Sequence, residues 1–296
     1  MEVAAIDGRQ YLADSRELTN RLLRKYLPAE DREPTSLHKA MRYSALADGK
    51  RLRPTLCLAA YEFCGGNADG EDLPVHFAMA ALEMVHAYSL IHDDLPCMDD
   101  DDLRRGIPTC HKQFGEAMAV LAGDALHVAA FELMTRTESI EAIRELAEAV
   151  DTEGMLGGQV ADIEAEGRDS ITLEEVVNIH RRKTGALLRG SVRIGAILAG
   201  AEPGLLERLT SYAEKIGLAF QIVDDILDVV GDEQLLGKDI GSDSKNQKAT
   251  YPAAVGLDRA RKDARDLIRQ AEEALGDKAG DNMLTYIARF IGQRDF

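Results

Sequence analysis

Six of the ten residues from Asp93 to Asp102 are aspartate, in the stretch LIHDDLPCMDDDDLRRG that runs from Leu90 to Gly106. Carboxylates packed this densely repel one another. Two of them about 5 Å apart cost roughly 3 kcal/mol at an effective dielectric near 20. Folding alone gives no reason to set such a cluster beside the apolar run Met79–Ile91. A hard cation does, because Mg²⁺ takes one or two carboxylates, keeps several waters and bridges to substrate phosphates. Arg104 and Arg105 follow at once, and planar guanidinium forks suit phosphate oxygens. Acids for metal beside arginines for phosphate point to a Mg²⁺–diphosphate site. A solvated charge run, neutralised by its own arginines, is the alternative for this stretch alone.

The pattern recurs about 130 residues later, in FQIVDDILD from Phe220 to Asp228. Asp224 and Asp228 are four apart and share one helix face. An apolar run leads into both motifs. Two helices would then bring carboxylates to opposite walls of one cavity, with a metal-bound diphosphate between them. A third charged motif, GKRLRP from Gly49 to Pro54, sets three cations at a loop-to-helix junction. Pro54 is acceptable in a first helical turn, and helix N-termini favour anions. Ordinary surface charge is the alternative there too.

Taken in order, these motifs resemble those of the trans-isoprenyl diphosphate synthases, over about Gly49 to Tyr251. Asp93-Asp94, four residues, then Asp99 is similar to that family's first aspartate-rich motif, and Asp224-Asp225-Ile226-Leu227-Asp228 to its second. The resemblance implies an all-α, single-domain helical bundle with a deep central cavity, spanning residues 1–296. It implies head-to-tail prenyl transfer in which isopentenyl diphosphate condenses with an allylic diphosphate. Metal would be held by Asp93, Asp94, Asp99, Asp224, Asp225 and Asp228, as Mg²⁺ or Mn²⁺, three ions per active site. Lys50, Arg53, His86 and Arg105 would bind isopentenyl diphosphate. Arg104, Lys183, Lys238 and Lys248 would bind the allylic diphosphate, and Lys183, Thr184, Gln221 and Lys238 would carry the chemistry. Gln159 and Asp162 would line the allylic chain. Asp48 stands where many members have a second glycine, which alters the local turn and leaves Lys50 in place.

Tyr88 and Ser89 lie five and four residues before Asp93, one turn deeper along its helix. A tyrosine at that depth would floor the cavity, since a packed interior does not admit another isoprene unit without repacking. In the resembled family such a residue goes with bacterial-type farnesyl diphosphate synthases. Farnesyl diphosphate is therefore the expected product and geranylgeranyl diphosphate the alternative. A class I terpene cyclase is disfavoured by the aspartate-only second motif and by Lys50 and Arg53. A non-catalytic partner subunit is disfavoured because both acidic motifs are intact.

The elements that must position these residues read as helices. Apolar residues recur at three- and four-residue spacing, and no alternating runs bounded by tight turns occur. The spacing predicts helices over Gln10–Tyr26, Ser36–Ala47, Thr55–Cys64, Val75–Asp94, His111–Arg136, Ile140–Glu166, Leu173–Gly200 and Ser211–Val230, with Ala253–Phe296 also helical. Gly106–His111 reads as a turn and Gly231–Thr250 as a polar loop. In an ideal helix Asp93 and Asp99 point about 120° apart, and Pro96 opposes helix at Leu95; the helix must end near Asp94. Gly157 and Gly158 cost helix stability and suggest close approach of another helix or of substrate. Gly185 marks a possible irregularity, Asp124 reads as a buried acid, and Arg294 has a possible role.

The chain has 296 residues, 45 % apolar, with 35 basic against 52 acidic side chains, a net charge of −17. Such a balance disfavours nucleic acid as a partner. No basic segment precedes an apolar run at the N-terminus, and no stretch approaches 18 uninterrupted apolar residues, so neither a secretory signal nor a membrane span is expected. The four cysteines (57, 64, 97 and 110) form no CxxC pair, which suits a reducing cytoplasm. The resemblance adds a homodimer.

Overall fold

The computed structural model describes residues 7–168, 171–230, 250–278, 280 and 282–293. Helix α1 (Gly8–Tyr26) starts where the Asp7 side chain accepts from the amides of Arg9 and Gln10, which satisfies two donors the helix leaves open. Then come α2 (Thr35–Ala45), α3 (Leu52–Phe63) and α4 (Pro74–Asp93), with Pro74 in the first turn of α4. α4 is apolar nearly all round. Fourteen of its twenty residues are buried, so it is the central helix, covered on more than one side.

A small ribbon follows. Leu103–Arg104 (β1) pairs antiparallel with Ile107–Pro108 (β2), and Arg105 and Gly106 form the bend with positive φ. Pairing here was not expected from sequence, where Gly106–His111 reads as a bare turn. The segment expected as one helix from His111 is two: α5 (Cys110–Phe114) and α6 (Glu116–Thr135), broken at Gly115 with φ +87°. The segment expected from Ile140 is also two, α7 (Ile140–Val150) and α8 (Met155–Ala165). Between them the Asp151 side chain accepts from the amides of Glu153 and Gly154, an Asx turn that competes with helix. α9 (Leu173–Ile179), opened by a Thr172–Glu175 capping box, runs into a π-helical segment (His180–Gly185) and then α10 (Ala186–Leu198).

The long α11 (Pro203–Val230) carries the second acidic motif. Past the polar segment come α12 (Tyr251–Val255), α13 (Leu257–Ala274) and α14 (Met283–Gly292). Residues 231–249, with Lys238 and Lys248, and Arg294 lie outside the described residues.

The main core packs α4 against α1, α2, α3 and α6, around residues such as Met79, Leu82, Met84, Leu126 and Met134. A second core joins α3, α10, α11, α13 and α14 around Tyr212, whose hydroxyl donates to Leu284 O at 2.6 Å. α6 has the length and apolar composition of a membrane-crossing helix. It packs along α4 as a core helix instead, and its other face leaves Val120, Leu121 and Val128 exposed. Asp124, expected to be buried, is exposed on α6.

α3 and α10 approach closely because position 195 has no side chain. A Cβ there would lie 2.1 Å from the carbonyl oxygen of Cys57. Gly195→Ala should therefore cost about 2–3 kcal/mol, as overpacking does. The measurement is the urea midpoint at unchanged slope, and an unshifted midpoint would contradict this packing.

Candidate active site

One wall of the site is cationic and is built on a buried ion pair. Arg51, at φ +52°, is only 3 % exposed. Its guanidinium donates to Glu83 of α4 at 2.6 Å, to Asn20 of α1 at 2.9 Å and to Ala47 O at 2.7 Å. This arginine is spent on structure. Its neighbours Lys50, which is exposed, and Arg53 stand on either side. Gly49 lets the hairpin reach this loop: a Cβ at position 49 would lie 2.6 Å from the Arg105 guanidinium. Arg105 and His86 line one pocket together with Glu83, Asp94 and Arg104, between α2, α4 and the hairpin.

The cations there are not balanced. Arg51 has Glu83, and Arg104 has Asp94 and Asp101. Arg53 and Arg105 have no carboxylate in ion-pair contact among the described residues, and the buried Arg53 Nε has no hydrogen-bond partner. Burial lowers the Arg53 pKa to about 10, against the pull of Glu83. Burial and then the neighbouring arginines hold His86 well below the ordinary imidazole range. At neutral pH His86 is thus an uncharged ring with an N–H to donate. An electropositive pocket of this kind suits an anion.

Facing it are the acids. α4 ends at Asp93, as the geometry of the motif requires, and the Asp99 amide donates to Asp93 O at 2.8 Å. This turn returns Asp99 to the end of the helix. Asp94 is turned to Arg104, which donates to it through Nε at 2.9 Å and again through Nη2. Even so, burial pushes the Asp94 carboxyl up to about 6. On α11 Asp224 and Asp228 share a face with Gln221, and the Asp224 charge is felt by Arg53. Asp225 points away from them: it accepts from the Tyr251 amide at 2.7 Å and lies 3.3 Å from His180 Nε2. Among the described residues no three acidic, histidine or cysteine side chains converge to hold an ion by themselves. Carboxylate pairs on separate walls nevertheless fit Mg²⁺, which is completed by water and phosphate oxygens rather than by an all-protein cage.

The π-helical segment stands between α8 and α11. A Cβ at Gly158 would lie 2.1 Å from the Lys183 amide nitrogen, and one at Gly217 would lie 3.2 Å from the Gly185 Cα. The glycines serve helix contact, one of the two roles their cost suggested. The register change at Gly185 is real, and such π turns leave backbone groups outside the regular ladder. Lys183 is held at 2.6 Å by Asp162 of α8, a pairing between charges 21 residues apart with no sequence signal. Thr184 follows on the same segment. Tyr88 is buried, and its ring stacks on His127 of α6. The Ser89 hydroxyl is used locally, donating to His86 O.

The chain matches the polyprenyl synthetase family over residues 34–286 and belongs to it. It is 46 % identical to farnesyl diphosphate synthase of Escherichia coli over 98 % of this chain and 100 % of that one. It is 47 % identical to the large subunit 1 of the chloroplastic heterodimeric geranylgeranyl pyrophosphate synthase of Arabidopsis thaliana, over 99 % of this chain and 81 % of that one. An FPP/GFPP synthase structure from Zymomonas mobilis superposes with a TM-score of 0.83 at 37 % identity, covering 97 % of this chain and 99 % of that one.

Displacing the π-helical segment should disable the site, since small misplacements of catalytic groups cost about 10²-fold in rate. Gly158→Ala is expected to lower turnover to that extent. Gly204→Ala, with nothing within 4 Å of its Cβ, should not. Equal activity of the two variants would show that the contact has no role in positioning.

Proposed function

We propose that this polyprenyl synthetase makes farnesyl diphosphate, by adding isopentenyl diphosphate to dimethylallyl and then geranyl diphosphate. The observation that carries the reading is the buried excess of guanidinium beside His86, set against two carboxylate walls. Lys50, Arg53, His86 and Arg105 bind the isopentenyl diphosphate, with neutral His86 donating to a phosphate oxygen. Arg104 and Lys183 bind the allylic diphosphate, as do Lys238 and Lys248 outside the described residues. Asp93, Asp99, Asp224 and Asp228 would hold Mg²⁺, which supplies charge neutralisation for the departing diphosphate. Asp94 and Asp225 orient Arg104 and the start of α12.

Departure of diphosphate leaves an allylic cation. The Lys183 carbonyl, the Thr184 hydroxyl and the Gln221 side chain present oxygen to it, which stabilises positive charge where it develops. The isopentenyl double bond attacks, and the released diphosphate takes the proton, so no side-chain base is required. Apolar walls keep water from the cation. Tyr88, beneath Asp93, favours a fifteen-carbon product. Geranylgeranyl diphosphate is the second reading, supported by relatives bearing that name.

We further propose a homodimer in a reducing cytoplasm. The support is the exposed apolar face of α6, where Val120, Leu121 and Val128 are 40 %, 53 % and 68 % exposed; faces of this kind mark interaction sites. Light scattering should give twice the chain mass, and Val128→Asp should shift it toward one. A single-chain mass for the unaltered protein would remove the proposal.

Activity should require Mg²⁺ or Mn²⁺ and vanish with EDTA. Asp93→Ala and Asp224→Ala should each lower turnover by at least about 10²-fold. Lys50→Ala should act mainly on the KM for isopentenyl diphosphate. Full turnover in metal-free buffer would end the metal assignment. An effect of Lys50→Ala confined to the allylic substrate would exchange the two diphosphate sites.

A further inference from the structure

Four rings stand in file between α4 and α6: His92, Tyr88, His127 and Phe131. His92 meets Tyr88 edge-on at 5.8 Å, and Phe131 meets His127 at 5.4 Å and 60°. Tyr88 and His127 differ from these. Their centroids are 4.4 Å apart and their planes 17° from parallel, so one ring covers a face of the other. The file is fixed at its upper end, where His92 Nε2 lies 3.1 Å from Val120 O. That approach needs Gly123, since a Cβ there would lie 2.1 Å from the same nitrogen.

Tyr88 itself has no polar anchor among the described residues. It is 4 % exposed, and its hydroxyl is buried without a hydrogen-bond partner among the described residues. What holds the ring is packing on its faces, and side chains in dense interiors turn only if a neighbour makes room. The imidazole of His127 occupies the space into which the phenol would turn. Burial keeps that imidazole below its ordinary pKa despite the pull of Asp124, so it stacks as an uncharged ring.

We propose that His127 is a positioning residue for product length: its stacked ring holds Tyr88 across the end of the cavity and so limits the number of isoprene units added. The inference rests on the prenyl-transfer reading above and on Tyr88 as the floor. His127 contacts the tyrosine rather than the growing chain. Phe131 braces His127 from behind, and His92 fixes the opposite edge of Tyr88. Of the three, His127 alone covers a face of the phenol.

The test incubates the full chain and its variants with isopentenyl and dimethylallyl diphosphates and reads products by mass spectrometry. The measured quantity is the ratio of the next-longer product to the main product of the unaltered protein. That ratio is internal to each reaction and independent of the amount of active enzyme, so a merely structural defect does not move it. Tyr88→Ala should raise the ratio. His127→Ala should raise it roughly ten-fold, the scale of a lost aromatic contact. His127→Phe, which keeps a ring face, should retain the original ratio. The double variant should match Tyr88→Ala, because His127 acts through Tyr88.

Lengthening by Tyr88→Ala but not by His127→Ala would overturn the proposal and leave the floor intact. A double variant that lengthens beyond Tyr88→Ala would overturn it by showing direct contact with the chain. If neither single variant lengthens the product, the floor assignment falls and takes the proposal with it. Absence of any condensation product from the unaltered protein would instead remove the functional reading on which both stand. Should His127→Ala not melt cooperatively, His127→Val, which removes the ring and fills part of its volume, is read by the same criteria.

Discussion

The cationic half of the site hangs on Arg51 and Glu83, two charges almost wholly removed from water and 2.6 Å apart. Burying such a pair costs several kcal/mol per ion, and removing one partner leaves the other uncompensated. The pair is tolerable because Asn20 and Ala47 O take further guanidinium donors. Those bonds tie α1, the loop before α3 and α4 to one point. Lys50 and Arg53, on either side of Arg51 in the chain, therefore leave a fixed point, and Arg53 does so with no carboxylate in ion-pair contact among the described residues. The rigidity of this joint is what allows an excess of positive charge to stay next to His86 rather than swing into solvent.

The opposite half is fixed by backbone contact instead of charge. Gly158 and Gly217 bring α8 and α11 against the π-helical segment. Two polar contacts then cross these seams, the Lys183–Asp162 ion pair and the His180–Asp225 contact. Asp225 and Asp224 are adjacent in sequence yet do different work. The first is turned toward the Tyr251 amide and His180. The second lies about a quarter-turn round α11, on the face it shares with Asp228 and Gln221. One helix turn thus carries both a structural anchor and the proposed metal face, and Asp94 beside Asp93 repeats that division on α4.

Much of this was legible in the residues. The two acidic motifs, the helix end at Asp93 required by the Asp93–Asp99 spacing, the glycine-mediated helix contact and the irregularity at Gly185 all follow from local chemistry. What escaped has a physical reason in each case. The breaks at Gly115 and Asp151 interrupt segments whose apolar period continues on both sides, so periodicity reads through them. The hairpin at Leu103–Pro108 is two residues per strand, too short to show alternation. Glu83 is one acid within an apolar helix, and its partner lies 32 residues away; Asp162 and Lys183 are 21 apart. Pairings like these are decided by how helices pack, which no local pattern encodes. His127 belongs with them, since its stacking on Tyr88 depends on the α4–α6 register.

The two halves also explain why neither is complete alone. Neighbouring carboxylates repel within each acidic motif, while Arg53 and Arg105 repel one another beside His86. A cation satisfies the first set and leaves the second unmatched; an anion does the reverse. A diphosphate carrying Mg²⁺ would answer both at once, since the acids are donors for the metal and the guanidinium groups are partners for phosphate. In the proposed reaction two such groups enter, and only one meets the acids. In that proposal the isopentenyl diphosphate would sit among cations and away from the metal, so its ester bond would not be the one activated. On the proposed function, separation of charge between the two sets of residues would select which diphosphate departs.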